Sequence, residues 1–424
     1  MFKNKALASI FLVVFIDLLG FSLILPLLPY LAKTYQASDF QIGLLVAVYA
    51  AASLVGAPLL GRLSDRYGRK PLLLISIFGT FLGFLMLAFA NSLWMLFVAR
   101  IIDGLTAGNI SIAQAYISDV TDPKDRSKAF GLIGAAFGLG FIIGPAVGGA
   151  LSTFGYMVPA LAAAALSFAN IILVALWLRE SLSAEKRAFT ASGTANNRAA
   201  FTLGALISAL RKPLVGPYLR TRFFFGLAFS LFQSIFSLYA LERFHLNVQS
   251  IGFVLAYVGV LSVITQGFMI GRLTVRYTEN QLIVFCTALM AAGLIGWALA
   301  PSLLILLLVM APTSFAGGVL NTVINSAISK SVAPAEIGGM LGISASLESA
   351  TRVLSPSLGG LLLDQVGKSF GSFAGTAAPG IFAGLVMVWL AGYTWKHVLP
   401  IQLKSWPTAG PRREDANPQT AAAD

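Results

Sequence analysis

The segment Gly61-Arg62-Leu63-Ser64-Asp65-Arg66-Tyr67 returns 210 residues later as Gly271-Arg272-Leu273-Thr274-Val275-Arg276-Tyr277. Each copy follows one long apolar run and precedes another. Farther along, Gly144-Pro145-Ala146-Val147-Gly148-Gly149 is echoed by Ser355-Pro356-Ser357-Leu358-Gly359-Gly360, and Ile117-Ser118 with Pro123 by Ile328-Ser329 with Pro334, both 211 residues apart. Three agreements in nearly one register mark an internal duplication, which sets the architecture before any single motif does.

Composition identifies the solvent. Of 424 residues, 57% are hydrophobic and 11% charged, against about a quarter charged in soluble domains. Apolar side chains spread along nearly the whole chain cannot all hide in a water-soluble core, so lipid surrounds them. With roughly 20 residues needed per crossing, spans are predicted near 6–32, 41–61, 71–90, 93–115, 129–152 and 157–178. The second set lies near 219–241, 250–271, 281–300, 302–326, 337–362 and 376–398. The expected fold is all-α integral membrane, with twelve transmembrane helices in two six-helix pseudo-repeats. The halves are 1–178 and 219–400, joined by a basic linker at 179–218 with a short amphipathic stretch; a tail at 401–424 is expected to be disordered.

Basic residues set the direction. The loops on the side of both termini hold 24 of the 29 Lys and Arg, eight of them from 179 to 222. The opposite loops hold only Lys33, Arg243 and Lys368, while Arg100 and Arg352 lie within spans. The positive-inside rule then places both termini in the cytoplasm, with the chain a multi-pass protein of the inner (cytoplasmic) membrane. The net charge of +12 needs no nucleic acid, because its charges are dispersed between apolar runs. The lone Cys286 excludes an intramolecular disulfide framework, and His245 and His397 leave no catalytic or metal-ligating constellation. No Gly-rich phosphate cradle points to ATP. Neither enzymatic activity, metal nor cofactor is expected.

The stretch Gly61 to Lys70, with Asp65, Arg66, Gly68 and Arg69, resembles the signature loop between helices 2 and 3 of the major facilitator superfamily. The fifth span, with Gly140, Gly144, Pro145, Gly148 and Gly149, is similar to the glycine motif of that superfamily's antiporters, and Asp17-x2-Gly20 with Arg100-x2-Asp103-Gly104 resembles its tetracycline-efflux and drug/proton branch. The resemblance implies a proton-coupled antiporter exporting a hydrophobic or amphipathic small molecule, monomeric in the bilayer. A symporter or metabolite exporter of the same fold is the alternative. It also implies that Asp65 docks near a helix N-terminus of the other half and that Arg69 pairs with Asp119. Val275 replaces Asp65 in the second copy, so the expected latch is one-sided. Tetracycline pumps of this branch carry acids in helices 3 and 9, where this chain has Phe81-Leu82-Gly83-Phe84 and no acid between Leu282 and Ala300. The resemblance therefore supports the branch and its mechanism more than tetracycline as cargo.

Ionisable groups at membrane depth are costly and are functional hypotheses by default. Arg100 and Asp103 stand three apart, and Glu348 and Arg352 four apart, so each pair meets on one helical face. Asp17 has no local partner. Low dielectric favours the neutral carboxyl, so Asp17 is the expected proton carrier, with Arg100 setting its affinity and Glu348 as the rival. The stripe Phe225, Phe229, Phe232 and Phe236 either lines a cavity or packs on a neighbouring helix. Phe229 and Phe236, with Gln114, Gln233, Asn321 and Asn325, are the expected substrate contacts. In the fifth span the glycines permit close helix approach and Pro145 a bend.

Overall fold

The computed structural model describes residues 5–122, 126–182, 203–333 and 336–401. Most of the linker, the tail from 402, and Pro123 and Pro334 lie outside them. The first half comprises α1 (Lys5–Ile24), α2 (Leu28–Thr34), α3 (Asp39–Tyr67), α4 (Arg69–Ala88), α5 (Leu93–Leu105), α6 (Asn109–Val120), α7 (Arg126–Leu151) and α8 (Met157–Trp177). A nine-residue helix, α9 (Leu203–Arg211), precedes the second half. That half comprises α10 (Gly216–Phe244), α11 (Val248–Ile264), α12 (Ile270–Arg276), α13 (Glu279–Ala298), α14 (Leu303–Lys330), α15 (Ile337–Phe370) and α16 (Ser372–His397). Eleven segments are long and apolar enough to cross a bilayer, with α5–α6 and α11–α12 each counting as one. The twelfth crossing is α15, whose 34 residues include Glu348 and Arg352.

Three predicted spans are not continuous α-helices. The first ends at Ile24, and after a turn containing Pro26 the chain resumes as α2 with Pro29 in its first turn, as expected where a missing N–H interrupts the helical ladder. The fourth breaks at Thr106–Gly108 between α5 and α6. The Ser76 hydroxyl contacts the Thr106 carbonyl and accepts the Gly108 N–H at 3.0 Å, supplying the partners that irregular backbone needs at membrane depth. The eighth holds a π-helical turn, Thr265–Met269, between α11 and α12. Gly43 and Gly252, on the matching helices, are 209 residues apart, whereas Gly61 and Gly271 are 210 apart. The π turn takes up the extra residue, as single insertions into helices do.

The repeated heptapeptide is also helical. Gly61–Tyr67 forms the last turns of α3, and the loop shrinks to Gly68, whose φ of 110° favours glycine.

The halves touch near one face of the membrane and part toward the other. A side chain at Gly43 would strike the Pro356 carbonyl, and one at Gly252 the Pro145 carbonyl. Gly360 lies against Asp39, and Gly149 against Val248 and Gln249. At this face Lys33 reaches Asp39 and Glu242 at 2.8 Å each. Lys33 and Glu242 are themselves 209 residues apart, so equivalent positions meet across the pseudo-two-fold axis. Toward the basic face, which carries Arg62, Arg66 and Arg69, the same helical stripes lose their neighbours. Gly134 and Gly131 continue the α7 stripe of Gly149, Pro145 and Gly138, and Gly342 and Gly338 continue the α15 stripe of Gly360 and Pro356; none of these four has a neighbour where a side chain would go. A cleft therefore opens between the halves toward the basic face.

Candidate functional site

The break in the fourth crossing positions the first cluster. Immediately after it, Asn109 begins α6 and donates its amide to Asp17 Oδ1 at 2.6 Å. Among the described residues no Lys or Arg lies within ion-pair distance of Asp17. One turn before the break, Arg100 and Asp103 are 2% and 3% exposed and paired at 2.7 Å. Thr80 also hydrogen-bonds Asp103, and the Arg100 guanidinium lies 4.0 Å from the Tyr49 ring centroid. The pairing predicted for Arg100 and Asp103 is thus present, and it leaves Asp17 with an amide and no cation.

The second cluster contains a residue that was misplaced from sequence. Glu348 pairs with Arg352 at 2.7 Å, as the i, i+4 spacing predicts, but its other oxygen contacts Arg222. Arg222 is 3% exposed and also donates to Asn321 Oδ1 at 2.6 Å. The sequence tally had assigned it to a cytoplasmic loop. The available signal was its position inside the predicted span 219–241. Glu348 is therefore held between two arginines, one buried and one open.

The two halves differ at the basic face as the Val275 replacement of Asp65 implies, and both hold an ion pair there. In the first half Arg69 pairs with Asp65 at 2.6 Å and Asp119 at 3.0 Å, as the resemblance implies for Asp119. Glu180 accepts the backbone N–H groups of Arg69 and Lys70 at 2.9 and 3.1 Å, so the carboxylate at this helix N-terminus comes from the segment after α8. That role was missed from sequence. In the repeat register Arg69 matches Glu279 and Asp119 matches Lys330, and Glu279 and Lys330 are paired. The second half thus keeps the ion pair with its charges exchanged, while Val275 stands exposed where Asp65 would be.

The glycine motif divides its contacts. Gly140, Gly144 and Gly148 face α1 at Leu18, Ser22 and Leu23, where Ser22 donates to the Gly140 carbonyl at 2.8 Å. Gly149 faces the other half. The motif joins two helices within its half and touches the second half at one end.

Among the expected substrate contacts, Gln114, Gln233 and Asn321 are exposed. Asn325 accepts from Ser344 at 3.1 Å. Phe229 is partly buried and stacks on Phe225 at 5.4 Å between ring centroids. Phe236, 1% exposed, packs on Phe232, which meets Trp297 edge-on. Its expected place on a cavity wall is corrected: an aromatic stripe at helical spacing has the same pattern whether it faces a cavity or a neighbouring helix.

The family model of the Major Facilitator Superfamily matches residues 10–311 and again 221–404. The tetracycline resistance protein, class H, of Pasteurella multocida is 34% identical over 365 residues, covering 84% of this chain and 88% of that protein. Multidrug resistance protein 2 of Bacillus subtilis is 29% identical, covering 90% and 93%. Among solved structures, a bacterial homolog of the human lysosomal transporter Spinster, inward-facing and unoccupied, has the same fold, with a TM-score of 0.75 at 15% identity over 93% of this chain and 97% of that one. With two six-helix pseudo-repeats, a cleft between them and relatives of this kind over most of its length, the chain is a multi-pass membrane transporter and belongs to the major facilitator superfamily.

Proposed function

We propose that the protein is a proton-coupled antiporter that exports a hydrophobic or amphipathic small molecule, with Asp17 carrying the proton. The observation that carries this reading is a carboxylate on a membrane-spanning helix with an amide partner, Asn109, and, among the described residues, no cation within ion-pair distance. Such a group is costly to keep charged in low dielectric and cheap to protonate. Arg100 and Asp103, mutually neutralised beside it, give the proton site a fixed electrostatic background. The names of relatives in the tetracycline and multidrug resistance families support export as the direction. A proton-driven symporter or metabolite exporter is the second reading.

The basic face, with both termini, the linker and the tail, is assigned to the cytoplasm of an inner membrane by its excess of Lys and Arg. The cleft then opens inward, and the Lys33–Glu242 contact closes the outside. Closure of the inside would bring Asp65 and the Arg69–Asp119 pair toward the second half. We assign the chain no enzymatic activity, no cofactor and a monomeric state.

The test uses protein reconstituted in vesicles and a panel of cationic, neutral and anionic fluorescent dyes. Dye entering the transport cycle should elicit proton movement in the opposite direction, and Asp17→Asn should abolish it. Proton movement in the same direction as dye selects the symport reading.

A further inference from the structure

We propose that the exported molecule bears an acidic group, and that Arg352 receives it at the apex of the cleft. This rests on the reading of the cleft as the substrate path and adds the chemical class of what travels it.

The place of Arg352 follows from helical periodicity. It stands four residues before Pro356, which packs on Gly43, so it lies one turn below the contact that closes the cleft, on the same face of α15. Two turns and more below it on that stripe, Gly342 and Gly338 face open space. Tyr49, on the facing helix α3, is within electrostatic reach of Arg352, Arg100, Asp103 and Asp17 together. Arg352 thus projects between the halves, its side chain 66% exposed, at a depth where an ionised group persists only in a watered cavity or with a partner.

Its bonding leaves it available. Glu348 presents one oxygen to Arg222 and the other to Arg352. Arg222 is enclosed and held a second time by Asn321. If Arg352 turns away, Glu348 keeps its buried partner and no carboxylate is stranded. Among the described residues the one polar side-chain partner of Arg352 is Glu348, so part of its planar donor fork faces the cleft. A guanidinium fork matches carboxylate, sulfonate or phosphate in bidentate geometry. The charge count agrees: Arg222 and Arg352 against Glu348 leave one positive charge in this cluster, whereas in the other Arg100 and Asp103 cancel and Asp17 adds only a carboxyl.

Two probes of nearly equal ring system test this with purified full-length protein at equilibrium, without a proton gradient. One is 1-anilinonaphthalene-8-sulfonate, an anion; the other is N-phenyl-1-naphthylamine, which lacks the sulfonate. Arg352→Gln is expected to weaken anion binding about tenfold or more and to leave the neutral probe within twofold. Arg352→Lys should retain an intermediate affinity, and rising salt should weaken only the anion. Equal loss of both probes in Arg352→Gln, with the Lys variant no better than Gln, would show a structural role and overturn the proposal. So would unchanged anion binding, or wild-type protein that binds the two probes alike and without salt dependence. Because no proton flux is read, a failed antiport reading would leave this result intact.

Discussion

Asp17 and Glu348 are both carboxylates at membrane depth, one in each half, and their surroundings differ in kind. Asp17 accepts one amide hydrogen bond from Asn109. Glu348 is clasped by Arg222 and Arg352, and the amide of the second half, Asn321, serves Arg222. At the basic face the halves differ in another way, with Arg69–Asp119 in one half answering to Glu279–Lys330 in the other, the charges exchanged. Duplication preserved the frame and, at the basic face, the places of one ion pair with its signs exchanged, whereas the membrane-depth charges are not shared: in the repeat register Glu348 and Arg352 fall on Phe137 and Phe141. On the proposed reading, the carboxylate bound only by a neutral amide is the proton site and the one between two arginines is a fixed charge.

The largest expected effect breaks the second cluster. Glu348→Gln leaves Arg222 enclosed without a counter-charge, a change that costs about 3 to 5 kcal/mol when a buried pair loses one member. Asp17→Asn keeps the acceptor oxygen for Asn109 and should cost about 1 kcal/mol or less. Thermal unfolding in one detergent compares them, and equal losses would erase the distinction between the two acids. Next comes the exchanged pair. Arg69→Ala removes bonds to two carboxylates, about 1.5 to 3 kcal/mol for charge-assisted hydrogen bonds, whereas exposed Arg276, its side chain over Tyr277, should change stability by about 0.5 kcal/mol or less when replaced by Ala. A third contrast lies along α7. Gly144→Leu drives a side chain into Ser22 and Leu19, with an overpacking cost of about 1 to 3 kcal/mol. Gly134→Ala, facing open space, should be neutral or gain up to about 1 kcal/mol from helix propensity. The smallest effect belongs to Lys33→Gln at the closed face. A half-exposed ion pair contributes about 0.2 to 1 kcal/mol, so the variant should raise the outward-open population only a few-fold, read by the distance between spin labels at exposed Gln36 and His245, beside the pair. No change would assign closure to the glycine crossings alone.

Much of this was legible in the chain. Apolar runs gave the crossings, because lipid imposes a length and a composition on every one. The duplication paired Pro145 with Pro356 but did not single out Gly43 and Gly252, which cross them, and the π turn is recorded in the sequence as the step from 209 to 210. The charge-exchanged pair was readable at positions 279 and 330, but a search for matching residues passes over matching positions of opposite sign. The break at Thr106–Gly108 was hidden, since it contains no proline and depends on Ser76 from another helix. Arg222 was hidden by its place near a span end, where a basic residue resembles a membrane-surface anchor until its acceptors from α14 and α15 are seen. Phe236 had no signal of its own: packing and cavity faces share one periodicity.

The distinction between the two acids meets its most direct test in infrared difference spectroscopy of the purified protein titrated across neutral pH. The expected result is a protonated-carboxyl stretch that appears and vanishes with pH, is absent in Asp17→Asn and persists in Glu348→Gln. A band that survives Asp17→Asn and disappears with Glu348→Gln would contradict the assignment and move the proton to the second half.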